Sequence, residues 1–240
     1  LADRLDTLVG IFSIGQQPSG SRDPFALRRA SLGILRIIIE RNIDLDLKLA
    51  ISAAAQQLNI TERTDELCLE VLTYILERFK AWYRDESIDP EVFASVAALG
   101  LSNPLDIDAR VKAVDQFTRL PEAVALASAN KRVFNILAKQ AAETIPAAID
   151  NSLLVDAAEQ QLADKITQLS TVIAPLLEQR DYAGVLKQLA LLRESVDQFF
   201  DDVMVMIEDD AIRANRLALL HSLRSLFLNV ADISQLVVSK

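Results

Sequence analysis

The stretch DAIRANRLALLHSLRSLFLNV, residues 210–230, decides the fold class of this protein. Its apolar residues recur three or four positions apart, the spacing of one face of an α-helix: Leu219, Leu220, Leu223, Phe227 and Val230. The same spacing runs through residues 155–178 and 182–207, so three long helices are predicted to finish the chain, at 155–178, 182–207 and 210–238. No stretch alternates apolar and polar residues as a half-buried strand would. The sequence therefore predicts an all-α protein.

Working outward from that stretch, the rest of the chain also divides into helical segments separated by short breaks. We expect the end of a helix at 1–14, a loop at 15–24 and a helix to residue 41 in which Asp23 is the cap and Pro24 the first residue. Further helices are predicted at 45–58, 62–84, 89–99, 106–118 and 121–139, with a connector at 141–152. Gly100 and Pro104 mark the best domain boundary. It separates a helical N-terminal region, 1–100, from a helical bundle, 101–240.

Composition agrees with a helical protein that has its own core. Of the 240 residues, 51% are apolar and only 5% aromatic, with six Gly and seven Pro, which favours helices. Cys68 is the single cysteine and lies in an apolar run, so we interpret it as a packed thiol in a protein of the reducing cytoplasm. No apolar run is long enough to span a membrane, and the N-terminus lacks the layout of a signal peptide. Because Leu1 is not an initiator Met, we expect further sequence before it.

The net charge of −9 argues against a diffusely basic nucleic-acid binder, because phosphate contacts require clustered Lys and Arg. It leaves room for a local basic patch.

Residues for an enzyme centre are missing. His221 is the only histidine, and without Cys, His or converging carboxylates nearby it is interpreted as a helix-surface residue. Gly15 and Gly20 have the outer spacing of a nucleotide loop, but Ser21-Arg22 replaces the required Lys-Ser/Thr. Asp3 and Asp6 lack a histidine partner and are interpreted as helix-surface charges.

One basic group lies in the N-terminal region. Arg29, Gly33 and Arg36 share a helical face, with Arg22 and Arg28 nearby. The missing side chain at Gly33 would let a polynucleotide backbone approach closely. An equally weighted alternative is ion pairing with Glu40 and with Asp residues of neighbouring helices.

A second polar edge lies in ANKRVFNILAK, residues 129–139. The apolar positions of this helix turn Lys131, Asn135 and Lys139 outward as a stripe of donors. Such a stripe can contact phosphates and base edges, although a solvated helix face has the same pattern. Further along, Arg216 lies close to the apolar stripe of its helix, and we predict that it forms a buried pair with Asp201, Asp202 or Asp209.

Four long strings together resemble one family: residues 2–37, 108–117, 129–139 and 199–234. The first resembles the end of the HD-like domain of bacterial glycyl-tRNA synthetase β subunits and the segment after it. The others resemble the C-terminal anticodon-binding domain of these subunits, which is similar to that of arginyl-tRNA synthetases.

The resemblance implies an α2β2 ligase in the cytoplasm, in which the α subunit binds ATP, Mg²⁺ and glycine and β contacts tRNA-Gly. This chain alone would then be non-catalytic, without a cofactor or metal of its own. The HD-like histidines are absent from it, which excludes an HD-type hydrolase. Carried over by motif, the candidate anticodon-side residues are Lys131, Arg132, Asn135, Lys139, Arg213, Asn215 and Arg216, and the choice among them rests on helical faces. The rival reading is a helical protein-interaction module.

Overall fold

The computed structural model of the protein describes residues 1–20, 22–61, 63–140 and 145–237. These residues form α-helices and short 3-10 turns, and their only β-type pairing is an isolated bridge between Ser19 and Arg22. The predicted all-α class is therefore confirmed. Within these residues, no helix is long and apolar enough to cross a membrane.

The structure describes twelve α-helices along these parts of the chain. They are α1 Ala2–Ser13, α2 Leu27–Glu40, α3 Leu47–Gln57, α4 Thr64–Leu76, α5 Arg78–Asp85, α6 Pro90–Ala97, α7 Pro104–Thr118, α8 Ala123–Leu137, α9 Ala157–Glu178, α10 Tyr182–Leu189, α11 Arg193–Asp202 and α12 Asp210–Leu228. The 3-10 turns are Asn151–Leu153, Ala190–Leu192 and Ile233–Gln235.

The chain divides into two compact units. Unit 1 consists of Leu1–Phe93 with Gly100–Ala109, and unit 2 of Ala94–Leu99 with Arg110–Lys240. The boundary predicted at residue 100 falls within the stretch where the chain alternates between the units, and the two-domain division at 100 and 101 stays a prediction.

Unit 1 is built on apolar faces that meet between α1, α2, α3 and α4. Leu8, Ile34, Ile51 and Val71 are fully buried. An aromatic cluster extends this core, since the ring of Phe79 stacks on Tyr83 at 5.1 Å and both rings contact Phe93. Because a buried hydroxyl must find a partner, the Tyr83 hydroxyl donates to Asp108 at 3.1 Å. Burial, followed by the Asp108 charge, raises the pKa of Tyr83.

Unit 2 packs α8, α9, α10, α11 and α12 around a second core. Its largest buried side chains include Phe117, Phe199 and Phe227. As predicted, Leu219, Leu220, Leu223, Phe227 and Val230 are all buried, which shows that the apolar face of α12 is the one that the spacing indicated.

Four predicted helices differ clearly from the structure at their ends or in the middle. The last, predicted over 210–238, ends at Leu228 and is followed by the 3-10 turn Ile233–Gln235. The predicted cap was wrong, because α2 begins at Leu27 with Ala26 as its N-cap and not at Pro24 after Asp23, although the Asp23 carboxylate still accepts from the N–H groups of Leu27 and Arg28. The helix predicted over 62–84 is broken at Glu77 into α4 and α5, and the second piece directs Phe79 and Tyr83 onto Phe93.

The helix predicted over 182–207 was wrong beyond Asp202. A 3-10 turn separates α10 from α11, and the chain becomes extended at Val203. Asp201 and Asp202 are placed unfavourably at the negative end of a helix dipole. Burial then alternates as in a strand, with Val203 and Val205 buried and Met204 and Met206 exposed, so the period of this segment is two and not 3.6.

Candidate nucleic-acid interface

Helix α8 presents the polar stripe that its sequence pattern predicted, although the helix ends at Leu137 and Lys139 lies in the turn that follows. Leu126 and Val133 are buried in the core of unit 2, and Lys131, Asn135 and Lys139 are exposed. The three exposed residues line one open hollow of about 480 Å³. We call this the α8 hollow; its lining is Ser128, Lys131, Arg132, Asn135, Ile136, Lys139, Gln140 and Met206.

The charge of the α8 hollow is opposite to that of the whole chain. Three of its lining residues are cations, and none carries a carboxylate. Within the described part of the chain, no acidic group pairs with Lys131, Arg132 or Lys139. Arg132 instead lies over the Phe200 ring of α11, 4.2 Å from its centroid. The hollow therefore offers free positive charge, an amide and an apolar surface side by side.

Arg216 does not belong to this surface, and its assignment as an RNA contact was wrong. It is 5% exposed, and each of its three side-chain nitrogens donates a hydrogen bond inside unit 2. Its Nε donates to Glu159 at 2.5 Å, Nη1 to the Met204 carbonyl at 2.8 Å and Nη2 to Asp156 at 2.7 Å. The predicted buried ion pair thus exists, but with carboxylates of α9 and its cap and not with Asp201, Asp202 or Asp209.

Glu159 is the central acceptor of this network. It is fully buried, and its other oxygen accepts from the N–H groups of Val155 and Asp156, completing a capping box at the start of α9. Burial by itself would raise the pKa of the carboxyl, but Arg216 and these two N–H groups outweigh burial and hold that pKa below its usual range. The pair therefore stays charged at neutral pH.

Asn215 is also structural, which corrects its assignment as an RNA contact. It is 2% exposed, and its side-chain amide pairs with the backbone of Asp150 in both directions. Oδ1 accepts from the Asp150 N–H at 2.8 Å, and Nδ2 donates to the Asp150 carbonyl at 2.9 Å. This bond attaches the segment before α9 to α12.

Arg213 is half-buried and faces the segment before its own helix. Its Nη1 donates to the carbonyls of Ile207 and Glu208, and Nη2 pairs with Asp210. Its guanidinium thus holds the loop that precedes α12, and little of it is left to bind RNA.

The structure brings only part of the predicted basic group of unit 1 together. Arg29, Gly33 and Arg36 of α2 line an open hollow of about 600 Å³ together with α1 residues that include Asp3 and Arg4. Arg28 is half-buried and donates to the Gly20 carbonyl, and Arg22 is exposed at the isolated bridge with Ser19. The alternative of ion pairing is not realised for Arg29 and Arg36, which have no acidic partner among the described residues.

The expectation that Gly33 leaves open space for a polynucleotide was wrong. A Cβ built on Gly33 would meet Arg4 of α1, with Nη1 at 2.9 Å and Cζ at 3.0 Å. The exposed Arg4 guanidinium therefore covers this glycine and joins the basic group. Sequence reasoning missed Arg4 because it lies in another helix, and the small residue in the facing helix was the only available signal. We call Arg4, Arg29, Gly33 and Arg36 the Arg4 surface.

The other motifs are placed as ordinary parts of the fold. His221 is exposed on α12, and Cys68 is buried in α4, where burial raises the pKa of its thiol. Among the described residues, no three His, Cys, Asp or Glu side chains converge as they would around a metal ion.

Comparison with known proteins finds one matching family in the N-terminal part of the chain and another in the C-terminal part. Residues 1–98 match the family described as glycyl-tRNA synthetase beta subunit, and residues 126–234, which include most of α8 and all of α12, match the DALR anticodon binding domain. The chain belongs to the glycine–tRNA ligase β-subunit family.

Its relatives in that family are close in sequence. The chain is 55% identical over 236 residues to the glycine–tRNA ligase beta subunit of Marinobacter nauticus, and 54% identical over 236 residues to that of Pseudomonas aeruginosa. The protein of the same name from Shewanella sp. is 53% identical over 237 residues. Each alignment covers 98% of this chain and 34% of the relative, so the chain spans about a third of the length of these family members.

Proposed function

We propose that the chain binds tRNA as part of a glycine–tRNA ligase β subunit, and that the α8 hollow receives the anticodon loop. The observation that carries this proposal is the gathering of Lys131, Arg132, Asn135 and Lys139 around one open hollow in a chain whose net charge is −9. Cations concentrated on one surface of an acidic protein attract a polyanion to that surface.

The chemistry of the stripe fits single-stranded RNA. The Lys131 and Lys139 ammonium groups would take phosphates as point charges. Asn135, between them on the same face, has one acceptor and two donors, which can read the edge of a base. An anticodon loop supplies phosphates and accessible base edges together.

The Arg4 surface is proposed as a second contact, with the tRNA backbone outside the anticodon. Its three arginines have no acidic partner among the described residues, and they offer planar donor groups that suit phosphate oxygens. Arg22 and Arg28 lie nearby in sequence, although Arg28 already donates to the Gly20 carbonyl.

Charging itself is proposed to take place on a partner. In this proposal an α subunit binds ATP, Mg²⁺ and glycine within an α2β2 assembly in the cytoplasm, and this chain contributes recognition and no catalytic group. The alternative of a protein-interaction module is favoured by one observation in unit 1, an open hollow in which the apolar and aromatic side chains of Phe12, Pro18, Leu69 and Tyr74 lie beside polar and acidic ones, Gln17, Glu70, Thr73 and Glu77. Since a β subunit must also contact its partner subunit, this surface is compatible with tRNA binding elsewhere on the chain.

The test is a set of dissociation constants for anticodon stem-loops of tRNA-Gly and of anticodon-swapped variants, at several salt concentrations. Lys131→Ala and Lys139→Ala should weaken all stem-loops alike and reduce the slope of log K against log salt by about 0.7 each. Asn135→Ala should instead reduce the discrimination between matched and swapped loops by about 1–3 kcal/mol.

The matched control is Lys187→Ala, an exposed lysine of unit 2 on α10, outside the α8 hollow. It should leave both affinity and salt slope unchanged. If Lys187→Ala and Lys131→Ala change the affinity and the salt slope equally, the stripe is a solvated helix face without a specific role in RNA binding.

A further inference from the structure

The segment between α11 and α12 shows two methionines on the surface. In Val203–Ile207 the side chains of Val203 and Val205 are buried, whereas Met204 is 72% exposed and Met206 is 47% exposed. Exposed methionines contribute little to the core, and a long apolar side chain in water has no stabilising role of its own. The segment is therefore unusual for a simple connection.

This segment is fixed in place by two arginines of α12, the buried Arg216 and the half-buried Arg213. Arg216 donates to the Met204 carbonyl at 2.8 Å, and Arg213 donates to the Ile207 carbonyl at 2.6 Å. The backbone on both sides of Met206 is thus bound to α12 by charged donors, which form stronger hydrogen bonds than neutral ones. With Val205 anchored in the core, the position of Met206 is largely predetermined.

Met206 differs from Met204 in its surroundings. It lines the α8 hollow with Lys131, Asn135 and Lys139, whereas Met204 does not. The hollow therefore combines an apolar, polarizable surface with an amide and two ammonium groups. An unstacked base requires the same combination: an apolar contact for its face, hydrogen-bonding groups for its edge and cations for the flanking phosphates.

We propose that Met206 is the contact for the face of one unstacked anticodon base, held so that Asn135 can reach the edge of the same base. This inference rests on the proposed function and adds Met206, a residue that no sequence pattern singled out. The base is held by dispersion and by exclusion of water from its face, so Met206 provides affinity that depends on a base being present.

The experiment pairs protein variants with RNAs that lack one base. The full 240-residue chain is titrated with the anticodon stem-loop of tRNA-Gly, and with versions that carry an abasic nucleotide at each anticodon position in turn. Met206→Ala should bind the intact loop about fivefold to tenfold more weakly, the lower end of the effect of a base-stacking side chain. At one abasic position the same substitution should cost nothing further, because the contact is already missing.

Two variants separate this effect from a change in structure. Met204→Ala removes the same side chain two residues away, leaves the Arg216 bond to the backbone carbonyl intact and should bind every RNA like the wild type. Met206→Leu keeps an apolar surface of similar volume and should retain most of the affinity. Circular dichroism should be unchanged in all three, since both methionines are exposed.

The outcomes distinguish this inference from the proposed function. If Met206→Ala binds the intact loop like the wild type, or costs the same with every abasic RNA, Met206 contacts no base and the inference is overturned while tRNA binding stands. If the wild-type chain binds the stem-loop no better than a fully paired RNA duplex of equal length, the proposed role of the hollow fails and the inference fails with it.

Discussion

Arg216→Met is the substitution that tests the architecture of unit 2 most directly. The change removes a guanidinium that is 5% exposed and leaves a fully buried Glu159 carboxylate without its ionic partner. Two N–H donors, from Val155 and Asp156, would remain on that carboxylate. Removing one member of a buried pair costs about 3–5 kcal/mol, because the remaining charge stays desolvated. We therefore expect a loss of that size in the free energy of unfolding of unit 2 at pH 7.

The pH dependence of this loss has a definite sign. In the wild type the pKa of Glu159 is lowered by folding, so its contribution is complete above the unfolded value of about 4.3 and is lost as the pH falls through the folded value. In Arg216→Met, burial without the guanidinium raises the pKa of Glu159, and the carboxyl takes up a proton as the solution becomes acidic. The difference between the two proteins should therefore be largest at neutral pH and should shrink towards pH 4.

Urea unfolding measured by two probes resolves the effect. The only tryptophan, Trp82, lies on α5 in unit 1, so its fluorescence reports unit 1, whereas the helical circular dichroism reports both units. We expect the transition seen by circular dichroism to shift and the Trp82 transition to change little. Hydrogen exchange at the start of α9 should accelerate in parallel.

A matched control is Arg213→Met, on the same helix. Its ion pair with Asp210 is largely exposed on the aspartate side, so the expected loss is at most about 2 kcal/mol. The double change Arg216→Met with Glu159→Gln should recover part of the stability, because a neutral amide can still accept from the two N–H groups. A loss below about 1 kcal/mol for Arg216→Met, or one that is independent of pH, would refute the account of the buried network.

The remaining predictions concern two glycines whose neighbours occupy the space of a side chain. Gly33→Ala should leave the free energy of unfolding unchanged or raise it by about 0.5–1 kcal/mol in thermal unfolding, because only the end of the Arg4 side chain must move. The same change should weaken binding of full-length tRNA-Gly. Unchanged binding would place Arg4 outside the interface. Gly184→Ala should lower the unfolding free energy by about 1 kcal/mol or more, because its Cβ would collide with the Asp181 carboxylate that caps α10. A melting temperature equal to that of the wild type would contradict the importance of this cap.

The sequence predicted those parts of the site that depend on one helix. In α8 the apolar spacing fixes which residues enter the core, and the opposite face is then necessarily polar and exposed. Lys131, Asn135 and Lys139 were found on that face for this reason. The family resemblance assigned this helix to an anticodon-binding domain. The apolar spacing alone could not make that assignment.

The same reasoning was least accurate where polar residues lie close to an apolar stripe. Helical spacing placed Arg216 near the core and predicted a buried pair, but it could not choose among the carboxylates of a chain with 34 acidic residues. The true partners, Asp156 and Glu159, are 60 and 57 residues away. Asn215 was assigned to the surface, although its partner is the backbone of Asp150, which has no sequence signature.

Periodicity by itself thus determined that this protein is helical, which faces of α8 and α12 are apolar, and which cations on α8 point to solvent. These are local properties, since they follow from 3.6 residues per turn. Only the tertiary structure decided that Arg4 covers Gly33, that Arg213 and Arg216 hold the segment before α12, and that Met206 completes the α8 hollow. Each of these contacts joins different elements, and its geometry depends on how whole helices pack. A hydrogen-bonding side chain accepts any suitable partner that packing brings within about 3 Å.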